Sequence, residues 1–481
     1  MEPTPAQQVV TRTLLNSTTL TRAQKQRAIA VVLGAAVGDA LGAPFEFEPA
    51  GRYRERFPEP VLGGIGELIG GGSLGWAPGE FTDDTQMAMA LAGAILEADA
   101  YDPDVAWTWF RAWRSTARDV GMTTSSSLAH ADWRDVLHNP HGAGNGSLMR
   151  AFPLALAYLH ATPARRQQVT LQQAALTHSD PAAGWGAWMA IEMMCAAILG
   201  DDPFLILPAL LEQLPTAPDD IRSQFAPLLA DEWSPDQPHP SNGTVWGCLA
   251  QAVWCLRTTT SFEDAVGTAV NLGDDADTVA CVTGALAGAR YGVQAIPSRW
   301  ATYVNGSIDS PGGRVTYDGQ LLQQTALQLL GLHDHHDTAP EIAAGPLEIE
   351  PRLFAADLLG ASTAPTDFAV VSLCRTGDRF ANHPHRRQVY LIDESNDHNP
   401  ELGTAIDDAI DSVQAFLAEG RDVVVHCHGG RSRTGVVLKA WRMRTAACTE
   451  REAHDWLQAR WHRYEDYNQD FVQHLRSLEN A

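Results

Sequence analysis

Long runs of small apolar residues, broken by glycine and proline and opened by aspartate, constrain this chain most. AIAVVLGAAVGDALGA, DTQMAMALAGAILEA and GWGAWMAIEMMCAAILG carry helical periodicity. Strand-like runs are scarce before Leu332, so residues 22–332 read as an all-α domain. Glycine and alanine on so many helix faces permit close helix–helix approach. Two of the helices open on clustered acids. Phe81 to Leu96 begins FTDDT, with Asp83 and Asp84, and Asn271 to Leu286 begins NLGDDADT, with Asp274, Asp275 and Asp277.

One aspartate caps a helix, through the free N–H groups and the dipole at its N-terminus. Capping does not explain two or three that repel one another. Neighbouring helical residues lie about 100° apart, so Asp83 and Asp84 can reach one rim. Asp275 and Asp277 converge only where the backbone turns into the helix, at Gly273. Two such turns, each adding a threonine hydroxyl, make an oxygen-only cage of the kind that suits hard divalent cations such as Mg²⁺ or Mn²⁺.

The length of 481 residues exceeds one ordinary core, and 45% hydrophobic content is that of a soluble globular protein. With 58 acidic against 34 basic residues the formal charge is −24, which argues against nucleic acid as a partner. It leaves room for a small anionic ligand in a local pocket. MEPTPAQQVV has neither a basic start nor an apolar run, so no secretory signal is expected. The longest apolar run, around IEMMCAAILG, is interrupted by Glu192, which is poor for a membrane span. Seven widely spaced cysteines suit a reduced, cytoplasmic protein.

Residues 1–21 are polar and read as a flexible N-terminus. Residues 333–351, HDHHDTAPEIAAGPLEIEP, read as a linker, and its His333, His335 and His336 as solvated side chains, because no second ligand pair with zinc spacing is near. From residue 352 to 481 strands alternate with helices. FAVVSLC, RQVYLID and RDVVVHC read as strands, AIDDAIDSVQAFLAEG and TGVVLKAWRMR as helices. A small α/β domain with a mostly parallel sheet is expected.

Five blocks in one order resemble an ADP-ribosylglycohydrolase of the dinitrogenase reductase-activating glycohydrolase type. They are GAAVGDALGAPFEF, TDDTQMA, GAGNGSLMRAFPLA, LTHSDPAAGWGA and GDDADTVACVTGALAGARYG. The resemblance implies an all-α fold holding two divalent cations, Mg²⁺ or Mn²⁺, on Thr82, Asp83, Asp84, Asp275, Asp277 and Thr278. Glu46 matches the glutamate beside the metals, as general base or gate. Asp274 falls where the family often has glycine and is left out of the cage. Gly144, Asn145, Gly146 and Ser147 form a loop whose N–H groups can approach phosphates, and His178 matches a ligand-side histidine. The implied partner is an ADP-ribosylated protein or a small ADP-ribose conjugate, cleaved by an N-glycosidase type hydrolase.

VVVHCHGGRSRTGVV resembles the phosphate loop of cysteine-dependent protein tyrosine and dual-specificity phosphatases. It is a Cys-x5-Arg loop between a strand and a helix. Cys427 is the expected nucleophile, and Arg433 can grip two oxygens of a phosphoryl group. Loop N–H groups, those of Gly429 and Gly430 among them, can stabilise both thiolate and phosphate, with Thr434 placed to hydrogen-bond the leaving thiolate. Cys374 has Phe380 six residues on, not arginine, and reads as a buried cysteine. Asp393, which ends a strand, is preferred over Asp397 as general acid. A phosphorylated substrate is implied here. The reading is thus a metal-dependent hydrolase of ADP-ribose conjugates joined to a phosphate monoester hydrolase. The alternative is a non-catalytic ADP-ribose-binding module that targets a protein phosphatase.

Overall fold

The computed structural model describes residues 10–11, 20–136, 143–216, 220–332, 343–396 and 398–480. His333, His335, His336 and Asp397 lie outside the described residues, as does most of the segment read as a flexible N-terminus. Two compact units form. One comprises Met1–Glu59, Glu67–Val293 and Tyr303–Asp334, the other Pro60–Gly66, Gln294–Thr302 and His335–Ala481.

The first unit is helical. At its centre the helix Arg22–Gly42, opened by a capping box between Thr21 and Gln24, lies against the helix Ala276–Tyr291. Their backbones nearly touch. A Cβ on Gly34 would lie 2.4 Å from the Gly284 carbonyl oxygen, and one on Gly38 2.0 Å from that of Ala280. Any side chain there would force the helices apart, so the expected close approach is met by glycine facing backbone. At the end of this contact a Cβ on Gly42 would lie 2.3 Å from the Asp277 Cα. The last turns of the first helix are thereby held against the acidic N-terminus of the other.

Two helices, in Arg22–Phe45 and Pro181–Leu199, are long and apolar enough to cross a membrane by length and composition, and both are mostly buried in the fold. Glu192, the acid that interrupts the second, accepts from Arg166 Nε and Nη2 at 2.7 and 2.6 Å. A departure from the all-helical expectation is the antiparallel hairpin Asn305–Ser310 with Gly313–Asp318. Its turn carries Pro311 and two glycines, and Gly313 takes φ +116°, a conformation that favours glycine.

The second unit has a five-stranded sheet in the order Leu347–Glu350, Leu353–Asp357, Val423–Cys427, Ala369–Ser372, Arg386–Gln388. The first pair is antiparallel and the others parallel. The parallel sheet was expected, the edge hairpin was not. Leu347–Glu350, at the end of the segment read as linker, is its outer strand, because Leu353–Asp357 offers it a ladder. The strand expected from RQVYLID is only three residues long and ends at Gln388, so Asp393 stands beyond the strand rather than at its end. Helices Leu402–Ala418 and Ser432–Ala446 occur where the apolar periodicity placed them.

Candidate functional sites

The two acidic turns are not spent on capping. The helix Asp83–Ala98 has Thr82 at its N-cap with no side-chain cap bond. Asp39, from the first helix, does that work instead: it accepts the Thr82 N–H at 2.8 Å, the Thr85 N–H at 3.0 Å and the Thr85 hydroxyl at 2.6 Å. At the second turn Asp275 is the N-cap, again without a cap bond, and its own N–H goes to Asn242 Oδ1 at 3.2 Å. The carboxylates are thus left to face one another.

Asp39, Asp84 and Asp277, all buried, offer oxygens within 4.8 Å of one another. Thr82 Oγ1 donates to Asp84 Oδ2 at 2.9 Å, and Asp275 accepts from the Thr278 side chain. Asp84 Oδ1, Asp277 Oδ1 and Glu46 Oε2 are buried with no hydrogen-bond partner. Burial and then mutual repulsion push Asp83, Asp84 and Asp277 well above the usual carboxylate range. Orphaned carboxylate oxygens in an all-oxygen donor set fit a hard divalent cation.

Asp274 lies apart. It is exposed, at φ +58°, and its backbone N–H and carbonyl bond Glu48 O (2.9 Å) and the Phe47 N–H (2.6 Å). Those two bonds fasten the loop that carries Glu46 beside the second acidic turn. Glu46 is raised to about 8, first by burial and then by Asp119, Asp275 and Asp39. Asp119 and Asp39 were not singled out from the sequence. Asp119 sits in a loop with no motif, whereas Asp39, an acid inside the apolar run AAVGDALGA, was a visible anomaly.

Beside the acids, the loop Gly144–Ser147 is stitched to residues 242–245. Asn145 N–H donates to Gly243 O at 3.2 Å and Val245 N–H to Ala143 O at 2.9 Å. Asn145 Nδ2 reaches Asn242 O at 2.9 Å and Asp275 Oδ2 at 2.8 Å, joining loop and acidic cluster. The Asn145 N–H, one of the loop N–H groups read as able to approach phosphates, is taken by Gly243 O. The Ser147 side chain is buried and donates to Ala183 O at 3.2 Å. His178 is buried behind Gly144 and Gly146, and burial followed by the nearby Arg150 lowers its pKa to about 3, so the ring is neutral.

In the second unit Val423–Cys427 ends at a loop that turns into Ser432–Ala446. Gly430 takes φ +68° and its carbonyl accepts Trp461 Nε1 at 2.6 Å. Asp357, paired in register with Cys427, accepts the Gly360 N–H at 2.7 Å and Arg463 Nη2 at 3.3 Å. His426 is buried and held neutral, lowered to about 3 chiefly by burial, with its Nε2 2.7 Å from Ser372 Oγ. Cys427 is buried at the floor of this loop. Arg433 Nη1 lies 3.3 Å from both Leu373 O and Leu391 O, and its Nε 3.7 Å from Asp393 Oδ2. Asp393 Oδ2 also accepts the Tyr467 hydroxyl at 2.6 Å. Among the described residues, His428 Nε2, Arg433 Nε, Thr434 Oγ1 and Asp393 Oδ1 around the loop are buried without hydrogen-bond partners. Of these the groups on His428, Arg433 and Thr434 can donate and suit an anion with several oxygens, whereas Asp393 Oδ1 is an acceptor. Cys374 packs in an apolar cluster with Phe380 and Val424, as the sequence suggested.

A helical unit built round a buried oxygen-only cluster, with an α/β unit built round a cysteine loop, defines a hydrolase of two domains. Residues 20–338 match the family model for ADP-ribosylglycohydrolase, and residues 362–481 that for the catalytic domain of dual specificity phosphatases. The chain belongs to the ADP-ribosylglycohydrolase family and carries a phosphatase-like domain after it. It is 31% identical over 294 residues to ADP-ribosylarginine hydrolase Tri1 of Pseudomonas putida (strain GB-1), covering 58% of this chain and 74% of that one. Over 287 residues it is 30% identical to the ADP-ribosyl-[dinitrogen reductase] glycohydrolase of Rhodospirillum rubrum, covering 59% and 92%. A solved structure described as an ADP-ribosylglycohydrolase-related protein complex aligns at a TM-score of 0.51 and 31% identity, covering 65% of this chain and 99% of that one.

Proposed function

We propose that the first unit removes ADP-ribose from a modified side chain, an arginine N-glycoside first among candidates, and that the second hydrolyses a phosphate monoester. The observation that carries the first half is the Asp83–Asp84 turn relieved of capping by Asp39, with buried, unpartnered oxygens on Asp84 and, from the second turn, Asp277. Thr82, Asp83, Asp84, Asp275, Asp277 and Thr278 would hold two divalent cations, Mg²⁺ or Mn²⁺, with Asp39 fixing the turn. Bound there, such ions polarise ribose hydroxyls and offset charge as the glycosidic bond breaks. Glu46 holds a proton near neutral pH and can pass it to or from the atoms at the anomeric carbon. The Gly144–Ser147 loop takes the pyrophosphate side of the ligand, with Asn145 setting its distance from Asp275. Similarity to an ADP-ribosylarginine hydrolase supports arginine as the acceptor.

In the second unit the Cys427 sulfur attacks phosphorus, Arg433 binds two of the phosphoryl oxygens, Thr434 donates to the sulfur and Asp393 protonates the leaving oxygen. Glycine at 429 and 430 keeps the loop backbone open to the anion. Neither site calls for nucleic acid or a membrane, and a cytoplasmic location is part of the proposal.

The test is ADP-ribose release from ADP-ribosyl-arginine and ADP-ribosyl-serine peptides, with Mg²⁺ or a chelator, comparing wild type, Asp275→Ala and Cys427→Ser. Release that requires metal and Asp275 but not Cys427 is expected. Tight ADP-ribose binding without turnover of either peptide would replace this reading with a binding module.

A further inference from the structure

Tyr467 stands where packing does not require it. Half of the residue is exposed, and it directly precedes Asn468, the N-cap of the helix Gln469–Ser477. Asn468 Oδ1 accepts the N–H groups of Asp470 and Phe471 at 3.2 and 3.4 Å, and Phe471, Val472 and Leu475 bury the helix in the core. The cap thereby fixes the residue before it. From that position the Tyr467 hydroxyl donates to Asp393 Oδ2 at 2.6 Å, across 74 residues of chain. A phenylalanine would fill the same half-exposed space, so the hydroxyl is the part of this side chain that calls for a use.

Asp393 lies beyond the strand that ends at Gln388, and side chains hold it there. The Asn399 amide stands in for a neighbouring strand: its Oδ1 accepts the Ile392 N–H at 2.8 Å and its Nδ2 donates to Ile392 O at 2.9 Å. On the other side Ser395 Oγ donates to Asn468 Oδ1 at 3.4 Å, which ties the loop to the helix cap. Backbone is thus fixed on both sides of Asp393, and Tyr467 fixes the carboxylate. The two carboxylate oxygens are unlike. Oδ2 takes the Tyr467 hydroxyl and lies 3.7 Å from Arg433 Nε, whereas Oδ1 is buried with no hydrogen-bond partner among the described residues. A donor and a cation facing Oδ2 both disfavour a proton there, so a protonated Asp393 carries it on Oδ1.

We infer that Tyr467 is a positioning residue of the phosphatase-like site: its hydroxyl holds Asp393 by Oδ2, so that Oδ1 presents the proton to the leaving oxygen. The inference rests on the reading of the second unit as a phosphate monoester hydrolase with Asp393 as its acid. In the first step the Cys427 thiolate forms the S–P bond while the bond from phosphorus to the leaving oxygen breaks. The electron pair of that bond stays on the leaving oxygen, which takes the proton from Asp393 Oδ1, and Asp393 is left as a carboxylate. In the second step water attacks phosphorus, the S–P bond breaks to return the thiolate, and Asp393 takes the proton that the water gives up. One oxygen of Asp393 must therefore lose and regain a proton in each turnover, and the bond at Oδ2 keeps the carboxyl from turning between the two steps.

Steady-state kinetics on the full chain test it, with two esters whose leaving oxygens differ in their need for a proton. Phenoxide departs poorly without one, and dinitrophenoxide departs readily. Tyr467→Phe should lower kcat/KM about tenfold for phenyl phosphate, one hydrogen bond's worth of positioning, and no more than about twofold for dinitrophenyl phosphate. The ratio is read within one preparation, so a partly unfolded variant does not alter it. In an Asp393→Asn background, which has no proton to give, adding Tyr467→Phe should lower neither value further. Equal losses on the two esters overturn the inference, as does an unchanged kcat/KM for phenyl phosphate or a loss that persists in full in the Asp393→Asn background. A wild type that releases phosphate from neither ester, or a Cys427→Ser variant that releases it as fast as wild type, overturns the phosphatase reading itself and the inference with it.

Discussion

At the scale of single residues, the buried acids make opposing predictions for stability and activity. Asp84→Asn or Asp277→Asn removes one of several crowded charges. In chelator either variant should be more stable than wild type by on the order of 1 kcal/mol, the value of one pKa unit, as chemical denaturation would read. Both should lose the rise in melting temperature that Mg²⁺ or Mn²⁺ gives the wild type. Asp275→Ala should cut ADP-ribose release by at least about 100-fold, measured as free ADP-ribose from an ADP-ribosyl-arginine peptide. Cys427→Ser should leave that release unchanged while phosphate release from a phosphotyrosine peptide falls to background. The acids at 83, 84, 275 and 277 and the Cys427–Arg433 spacing were legible because each is a local pattern. Asp119 was not, because it meets its partners only through the fold, and Asp39, though conspicuous in an apolar run, shows its role only there, since it stands 43 residues before Thr82.

Among elements, the pairing of Arg22–Gly42 with Ala276–Tyr291 sets the geometry of the helical site. Gly38→Ala places a methyl 2.0 Å from the Ala280 carbonyl oxygen, so the helices must part. A loss of about 2 kcal/mol or more is expected in urea denaturation, with weaker metal binding because Asp39 and Asp277 separate. The helices were readable from the period of their apolar residues. Which helix lies against which was only hinted at by their glycines. Short strands were harder. Leu347–Glu350 has alternation but is too brief to stand without the ladder from Leu353–Asp357, and Tyr390 to Ile392 look like a strand but lie beyond the ladder, which ends where the Val389 N–H meets Ser372 O. Strand formation depends on a partner that lies elsewhere in the chain, and helix formation does not.

For the whole molecule, pH is the informative variable. His178 and His426, one in each unit, are both lowered from 6.5 to about 3, mainly by burial. A group whose pKa is depressed on folding favours the folded state above its unfolded pKa and costs stability as pH falls below it. Between about pH 6.5 and 3 the unfolded chain takes up a proton that the folded chain refuses, and each histidine removes about 1.4 kcal/mol per pH unit. From pH 7 to pH 5 each histidine alone should therefore remove about 2 kcal/mol, while the carboxylates raised by burial, Glu46 and Asp39 in the helical unit and Asp408 in the other, take up protons in the folded state and act in the opposite sense. The difference between wild type and His426→Gln in denaturation curves at the two pH values isolates the histidine's share in the phosphatase-like unit.

Sequence alone determined what neighbours a few residues apart can set: helix against strand, acids at two helix heads, a cysteine six residues before an arginine, and the family those motifs resemble. Tertiary structure decided which of those groups are available. Asp39 takes over the capping, Asn145 ties the glycine loop to Asp275 across 130 residues, and Tyr467 holds Asp393 across 74. It also turned Asp274, one acid of the three, into a backbone fastener for Glu46. The physical reason is range. Propensity and spacing act within a turn or two of chain, whereas burial, repulsion and hydrogen-bond partnership depend on what the folded backbone brings within a few ångströms.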